Sequence, residues 1–292
     1  MAKIAAVLGL GAVGSAIAAK LIENGWDVRS ADTRENPERE FDFIDGSTRK
    51  HYAIPALGDP KKADILIITL KAFATGKAVR PLRNRFRPSM PVILLENGMG
   101  QDAAVMDVFR VNPFYLGVTA LGAVKDGTTV TLNADAKAVY GPRSVNAGGI
   151  GKIKDLPESV FFFEENPVPA VLRKLAANTV INPLTAVLDD KNGIILEKAE
   201  LVRRLTDEIS RVLAPLGLRE TPDSLYEAVM GIAGRTRENS SSMREDVRHG
   251  RPTENDYILG FVIKTAERFG MDVPELKRLE EEFLRKAGNE AQ

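Results

Sequence analysis

The sequence predicts an α/β protein whose first half alternates strands with helices and whose second half is all helix. Three observations lead to this. Short apolar runs alternate with amphipathic segments from the N-terminus, a glycine-rich turn follows the first run, and helix-period spacing dominates from about residue 168. A chain of 292 residues is long enough for two domains. We therefore predict one domain over 1–166 and a second, helical domain over 167–292.

Composition excludes several kinds of chemistry. There is no cysteine, so disulfides, thiolate catalysis and cysteine-ligated zinc are ruled out, and two histidines make no histidine-rich metal site. The 40 basic and 40 acidic side chains give no net positive charge that would favour a nucleic acid. No apolar stretch reaches about 18 residues, so we expect no membrane span and a cytoplasmic location.

The front half contains four near-continuous apolar runs, which are typical of parallel strands covered on both faces. The predicted strands are 3–8, 28–31, 64–70 and 91–95, with a helix over 15–24 that Gly25 ends. Shorter strands are predicted at 114–120, 128–132, 138–140 and 160–163. We expect these to complete the same sheet as antiparallel additions, with a flexible loop at 146–151.

The back half shows helix-period apolar spacing throughout. The predicted helices are 172–188, 196–216, 223–233, 253–269 and 274–286. Proline removes a backbone donor and clashes with the preceding turn, so Pro183 should bend or break the first of these helices.

The turn after the first strand has the pattern G-x-G-x-x-G, formed by Gly9, Leu10, Gly11, Ala12, Val13 and Gly14. Its position between a strand and a helix is the context of a dinucleotide-binding, Rossmann-like fold. Gly9 permits the tight turn, Gly11 allows close approach of a pyrophosphate, and Gly14 lets helix and strand pack closely. The backbone N–H groups at the helix start then face the phosphates.

Three charged residues bear on which nicotinamide cofactor is used. Asp32 follows the second strand, where an acid binds the ribose 2′-hydroxyl of NADH. Arg34 is two residues further on and could instead meet the 2′-phosphate of NADPH, with Lys71 adding charge. Solvated surface charge is the alternative interpretation for each, so the sequence leaves the cofactor choice open.

Lys174, Asn178 and Asn182 are spaced four residues apart, which aligns them along one face of a helix. Asparagine is a poor residue for a helix interior, so this stripe suggests polar side chains that face a site. From periodicity alone, however, a solvated stripe is the simpler interpretation.

The wider sequence around this stripe resembles the ketopantoate reductases (2-dehydropantoate 2-reductases). The resemblance rests on these strings: Lys174-Leu-Ala-Ala-Asn178-Thr-Val-Ile-Asn182-Pro, Asn192-Gly193, Asn239-Ser-Ser-Ser242-Met243, Arg251-Pro-Thr-Glu254-Asn-Asp256, Glu96-Asn97-Gly98-Met99-Gly100 and Thr69-Leu70-Lys71-Ala72. It extends from residue 3 to at least the helix that ends near residue 269.

The resemblance implies a function and a role for each matching residue. The family reaction is the reduction of ketopantoate to pantoate by NADPH, a step toward pantothenate and coenzyme A. By resemblance, Lys174 is the general acid. Asn178, Asn182 and Asn192 hold the substrate, Ser242 binds its carboxylate, and Glu254, Asn97 and Ala123 belong to the cofactor site.

Two departures from the family pattern keep alternatives open. The stretch 119–122 lacks a histidine that some relatives carry, and Asp32 is not typical of members that prefer NADPH. The cofactor is therefore NADPH by resemblance, with NADH as the alternative. The other function hypotheses are reduction of a different small 2-keto acid and a non-catalytic nucleotide-sensing module. A homodimer is left open, because the C-terminal helices could pack within the chain or against a second copy.

Overall fold

The computed structural model describes residues 2–34 and 38–290, which form two compact units. One unit comprises the chain up to Glu96 together with Gln101–Pro167, and the other comprises Asn97–Gly100 and the chain from Val168 onward. In these two ranges, no helix is long and apolar enough to cross a membrane.

The first unit contains the strands. They are β1 (Ile4–Leu8), β2 (Asp27–Ser30), β3 (Arg39–Asp45), β4 (Thr48–Ile54), β5 (Ile65–Ile68), β6 (Val92–Leu95), β7 (Phe114–Thr119), β8 (Gly122–Asp126), β9 (Thr129–Ala134), β10 (Ala138–Pro142) and β11 (Phe161–Phe163). Seven of them form a sheet in the order β11-β10-β7-β6-β5-β1-β2. Neighbouring strands from β2 to β7 are parallel, and β5, β6 and β7 are buried along their whole length. The mixed α/β class is confirmed.

The remaining strands form a second sheet in the order β4-β3-β9-β8, which the sequence did not predict. The predicted strand at 128–132 belongs to this sheet, and β7 pairs parallel to β6. The expectation of antiparallel additions was therefore right for the pairing of β10 with β7 and wrong for β7 and β9. The hairpin of β3 and β4 escaped notice because Thr48–His51 are exposed and only Tyr52 and Ile54 of β4 are buried.

The helix α1 (Ala12–Glu23) packs against strands of both sheets, among them β1, β2, β8 and β9. Gly14 to Ala19 are all buried, as expected for a helix covered on more than one side. Gly25 ends this helix with φ +83°: its N–H donates to Ile22 and that of Trp26 donates to Leu21, a Schellman motif.

Three shorter helices complete this unit: α2 (Ala72–Val79), α3 (Asp102–Val108) and α4 (Val145–Ile150). The flexible loop predicted at 146–151 was wrong, because α4 occupies most of it. Ser144 caps α4 by accepting a hydrogen bond from the Ala147 N–H at 3.3 Å, and Ala147 is fully buried. A local cap and one anchoring side chain thus order a segment that its glycines suggested was mobile.

The second unit is helical. Its helices are α5 (Val168–Leu188), α6 (Ala199–Leu213), α7 (Pro222–Arg235), α8 (Ser242–Arg248), α9 (Leu259–Arg268) and α10 (Pro274–Glu290). The helix was predicted to bend or break at Pro183; it does not break, since α5 continues through it, and a bend there stays a prediction. Ile181 and Leu184 lie in the helical core on either side of the proline, and this packing outweighs the local preference.

Candidate active site

The glycine loop lies between β1 and α1 and has the backbone that its sequence requires. Gly9 has φ +106°, and a Cβ there would lie 2.9 Å from the Leu70 nitrogen. At Gly14 a Cβ would lie 2.0 Å from the Gly9 carbonyl oxygen, so both positions exclude a side chain. Thr69 donates a 2.8 Å hydrogen bond to the Gly9 carbonyl, which ties the loop to the end of β5.

The start of α1 fits a dinucleotide phosphate. A Cβ at Gly11 would meet no atom of the described residues within 4 Å, so a ligand can approach the backbone there. Gly11 is the N-cap of α1, no side chain caps this end, and the first turn carries no acidic residue. Backbone N–H groups at such a helix start attract an anion. Ala12 and Val13 are the first residues of α1 and supply two of these N–H groups.

Asp32 lies beyond β2 and is engaged by two guanidinium groups. It accepts hydrogen bonds from Arg34 Nε at 2.8 Å and from Arg39 Nη2 at 2.8 Å. Burial raises the pKa of Asp32, but the hydrogen bonds from Arg34 and the charge of Arg39 together hold it below its ordinary value. The carboxylate is therefore ionised and already paired with two guanidinium groups.

A cavity of about 200 Å³ opens beside Asp32 in the same unit. Arg34, Leu57, Arg85 and Phe86 contribute to its lining. It combines an apolar wall with cationic groups, which suits the adenosine end of a dinucleotide.

Two further predicted cofactor residues lie in this unit. Lys71 is the N-cap residue of α2 and is half-buried. Ala123 is half-buried on β8 at a register shift beside Gly122, and it packs against the core of the unit. Such bulges often re-aim a strand next to a functional site.

Lys174 lies on α5 in the helical unit and is half-buried. Burial lowers its pKa to about 8, and the charge of Glu254 partly opposes this change. Glu254 is 4% exposed and accepts a 3.3 Å hydrogen bond from the Asn97 amide. Three of the residues predicted from the sequence are thus brought together in one unit.

The segment around Asn97 packs in the helical unit although it follows a strand of the other one. The Met99 N–H donates to the Tyr257 carbonyl at 2.8 Å. Gly98 has φ +80°, and a Cβ there would lie 2.5 Å from the same oxygen, so only glycine fits. Glu96, just before this segment, is buried and accepts a hydrogen bond from Thr75.

The predicted substrate residues have different environments. Asn178 is half-buried on α5, and Asn182 is 6% exposed. The Asn192 amide donates to Thr236 at 3.0 Å, while its buried carbonyl oxygen Oδ1 accepts no hydrogen bond from the described residues. A buried acceptor left open in this way is expected to receive a donor from a ligand or from water.

Ser242 is the exposed member of a run of three serines at the start of α8. Ser240 and Ser241 are held by the protein: Ser241 caps α8 and accepts a 2.7 Å hydrogen bond from Thr185, and Ser240 contacts Glu245. The hydroxyl of Ser242 is therefore the one best placed to meet a solute.

Sequence reasoning missed Arg39 and Lys125. Both come from the second sheet: Arg39 pairs with Asp32, and Lys125 donates a 3.0 Å hydrogen bond to the Leu10 carbonyl in the glycine loop. Only the alternation of side chains along a strand could have indicated Lys125, because it shares a face with Ala123 two residues earlier. No local signal points to Arg39.

Comparisons with known proteins identify the family of the chain. The family model described as "Ketopantoate reductase PanE/ApbA" matches residues 5–144, and "Ketopantoate reductase PanE/ApbA C terminal" matches residues 168–284. The 2-dehydropantoate 2-reductase of Salmonella typhimurium is 32% identical over 286 residues, which cover 96% of this chain and 94% of that protein.

Two solved structures share the fold. One is the ternary structure of D-mandelate dehydrogenase with NADH and anilino(oxo)acetate, with a TM-score of 0.86, 19% identity and coverage of 99% of this chain and 100% of that one. The other is a dimeric ketopantoate reductase from Staphylococcus aureus, with a TM-score of 0.82, 22% identity and coverage of 98% and 99%. The chain therefore belongs to the ketopantoate reductase family and is an NAD(P)H-dependent oxidoreductase.

Proposed function

We propose that this protein reduces ketopantoate to pantoate with NADPH, a step toward pantothenate and coenzyme A. The observation that carries the proposal is Lys174, whose pKa is lowered by burial to about 8 in a helical unit that also holds Glu254 and Asn97. A lysine with an ordinary pKa would hold its proton too tightly for efficient transfer near neutral pH.

Lys174 is the proton donor in this proposal. The bound dinucleotide supplies a hydride to the carbonyl carbon of the substrate. The ammonium of Lys174 stabilises the negative charge that develops on the carbonyl oxygen and then transfers its proton to that oxygen, so the alcohol is formed. Glu254 keeps enough positive charge on the lysine for this role, because its attraction opposes the effect of burial.

Polar side chains of the helical unit orient the keto acid. Asn178, Asn182 and Asn192 supply amide donors and acceptors without adding charge, and the open Oδ1 of Asn192 supports such a role. Ser242 binds the substrate carboxylate, which its exposed hydroxyl supports. Asn97, Ala123 and Lys71 complete the cofactor site in this proposal, as does Glu254.

NADPH is the preferred cofactor in this proposal because Asp32 is already paired. A free carboxylate would bind the 2′-hydroxyl of NADH and repel a 2′-phosphate. Here Arg34 and Arg39 engage that carboxylate, so it is not free to bind a 2′-hydroxyl, and guanidiniums suit the recognition of a 2′-phosphate.

Initial rates with ketopantoate and each cofactor test the proposal directly. Oxidation of the reduced nicotinamide is followed by its absorbance, first with ketopantoate and then with a panel of other 2-keto acids. We expect the highest kcat/KM for ketopantoate with NADPH. A higher kcat/KM for another 2-keto acid would reject the substrate, and a higher value with NADH would reject the cofactor.

The sensing module is the alternative from a different class. It predicts that the protein binds cofactor but oxidises it with no keto acid. Lys174→Met separates the two hypotheses: an enzyme loses turnover and keeps cofactor binding, whereas a sensor has no turnover to lose. A homodimer and a cytoplasmic location stay predictions, and the molar mass in solution tests the first.

A further inference from the structure

Lys125 lies on β8 of the second sheet and reaches the glycine loop. Its ammonium donates a 3.0 Å hydrogen bond to the Leu10 carbonyl and lies 6.0 Å from the centre of the buried Phe41 ring. Both contacts are within the first unit. The carbonyl of Leu10 also accepts a 3.1 Å hydrogen bond from the Ser15 hydroxyl, so it does not need the lysine to be satisfied.

The charge of Lys125 is not explained by its protein contacts. Two other lysines of this unit pair with acids: Lys20 with Asp135 at 2.9 Å and Lys50 with Glu23 at 2.6 Å. In the ranges 2–34 and 38–290, no carboxylate within ion-pair distance of Lys125 is recorded. Burial lowers its pKa, and so does the like charge of Arg39.

A half-buried cation of this kind destabilises the protein unless an anion compensates it. A neutral amide could hold the Leu10 carbonyl equally well. Lys125, Arg34 and Arg39 together bring three cations to this region of the unit. A group of cations of this kind fits a ligand that carries phosphate.

We propose that Lys125 binds a phosphate oxyanion of the dinucleotide held by the glycine loop. The inference rests on the proposed function, since it needs a nicotinamide dinucleotide at that loop. The Leu10 carbonyl uses one N–H of the ammonium and fixes its position, which leaves two donors for phosphate oxygens. The phosphate is either the pyrophosphate, common to both cofactors, or the 2′-phosphate of NADPH.

Calorimetric titration of NADPH and NADH into wild type, Lys125→Met, Lys125→Gln and Lys125→Arg tests the inference without measuring turnover. Met removes the charge and the donors, Gln keeps a donor without charge, and Arg keeps both. Lys50→Met is the matched control, because Lys50 is an exposed lysine on the same sheet. Thermal unfolding of each variant shows whether the unit stays folded.

We expect Lys125→Met and Lys125→Gln to weaken binding roughly ten- to a hundred-fold, the range for a hydrogen bond to a charged group. Lys125→Arg and Lys50→Met should stay near wild type. Equal losses for both cofactors would identify the pyrophosphate, and a loss confined to NADPH would identify the 2′-phosphate. Salt should weaken binding less in the Met variant than in wild type.

Near-wild-type affinity of Lys125→Gln for both cofactors would overturn the inference, since the lysine would then only tether the loop. That result would leave the proposed function intact, provided that wild type binds cofactor and reduces ketopantoate. Wild type that binds neither cofactor would reject the proposed function and this inference together. If Lys125→Met fails to fold, the cofactor affinities of Lys125→Gln and Lys125→Arg still test whether the charge of Lys125 contributes to binding.

Discussion

Replacing Lys174 by methionine should stabilise the protein at pH 7 while it abolishes turnover. The ordinary pKa of 10.5 falls to about 8 in the folded protein. At about 1.36 kcal/mol for each pKa unit, the folded state holds this ammonium at a cost of about 3 kcal/mol. The value already contains the attraction of Glu254, and it is an upper limit because solvent screens a half-buried group.

The sign of the effect depends on pH in a defined way. Below pH 8 the lysine is charged in both the folded and the unfolded state, so the full cost applies. Between about 8 and 10.5 the folded state binds fewer protons than the unfolded state, and wild type gains stability as pH rises. Near pH 10.5 the electrostatic difference between wild type and Lys174→Met should therefore have almost vanished.

Denaturant unfolding at pH 7 and at pH 10, without cofactor, measures this difference. Lys191→Met is the control, because Lys191 is an exposed lysine of the same unit that pairs with Glu238. We expect its effect to be small at both pH values. A Lys174→Met variant that is less stable than wild type at pH 7, or equally shifted at both pH values, would refute the reasoning.

Three further predictions concern turnover and binding. The kcat/KM for the keto acid should fall as the pH rises above about 8, where Lys174 loses its proton. Glu254→Gln should shift this fall to lower pH, because an attraction that raises the pKa of Lys174 is lost. The control Glu238→Gln should leave the pH of the fall unchanged. Arg39→Met should weaken NADPH binding roughly ten-fold in direct titration and leave NADH nearly unchanged. Asn192→Asp should raise the KM for the keto acid about ten-fold or more, because it places a second carboxylate near the substrate's own; an unchanged KM would remove Asn192 from the site.

The sequence was sufficient to predict structure where a segment contains its own hydrophobic or glycine pattern. The apolar runs became buried parallel strands, and Gly25 ended its helix with the backbone bonds that a C-terminal glycine makes. The glycine loop could also be predicted, because a side chain at Gly9 or Gly14 would collide with the backbone of the turn or of the adjoining strand end. In the helical unit, the four-residue spacing of Lys174 and Asn178 placed both on α5.

Contacts between distant segments of the chain determined the features that the sequence did not predict. The second sheet joins β3 to β9 across more than eighty residues of chain, and Arg39, the first residue of β3, contacts Asp32. The prediction of antiparallel strands was wrong for β7 and β9 for the same reason, since the relative direction of a strand depends on the strand with which it pairs. The helix at Pro183 continued because packing on both sides of it is stronger than the preference of one residue.

Asp32 and Lys174 illustrate why residue type and spacing in the sequence are insufficient to predict the state of a charged side chain. Asp32 alone favours NADH, yet two guanidiniums take up its carboxylate. Lys174 alone would be fully charged at any ordinary pH, yet burial lowers its pKa to about 8 and Glu254 prevents a larger fall. A proton donor is most effective when its pKa lies near the working pH, so these opposing effects keep the lysine protonated and still able to release its proton. Removing either effect should harm catalysis. Without burial, Lys174 would hold its proton too tightly, and without Glu254 too little of the lysine would be protonated.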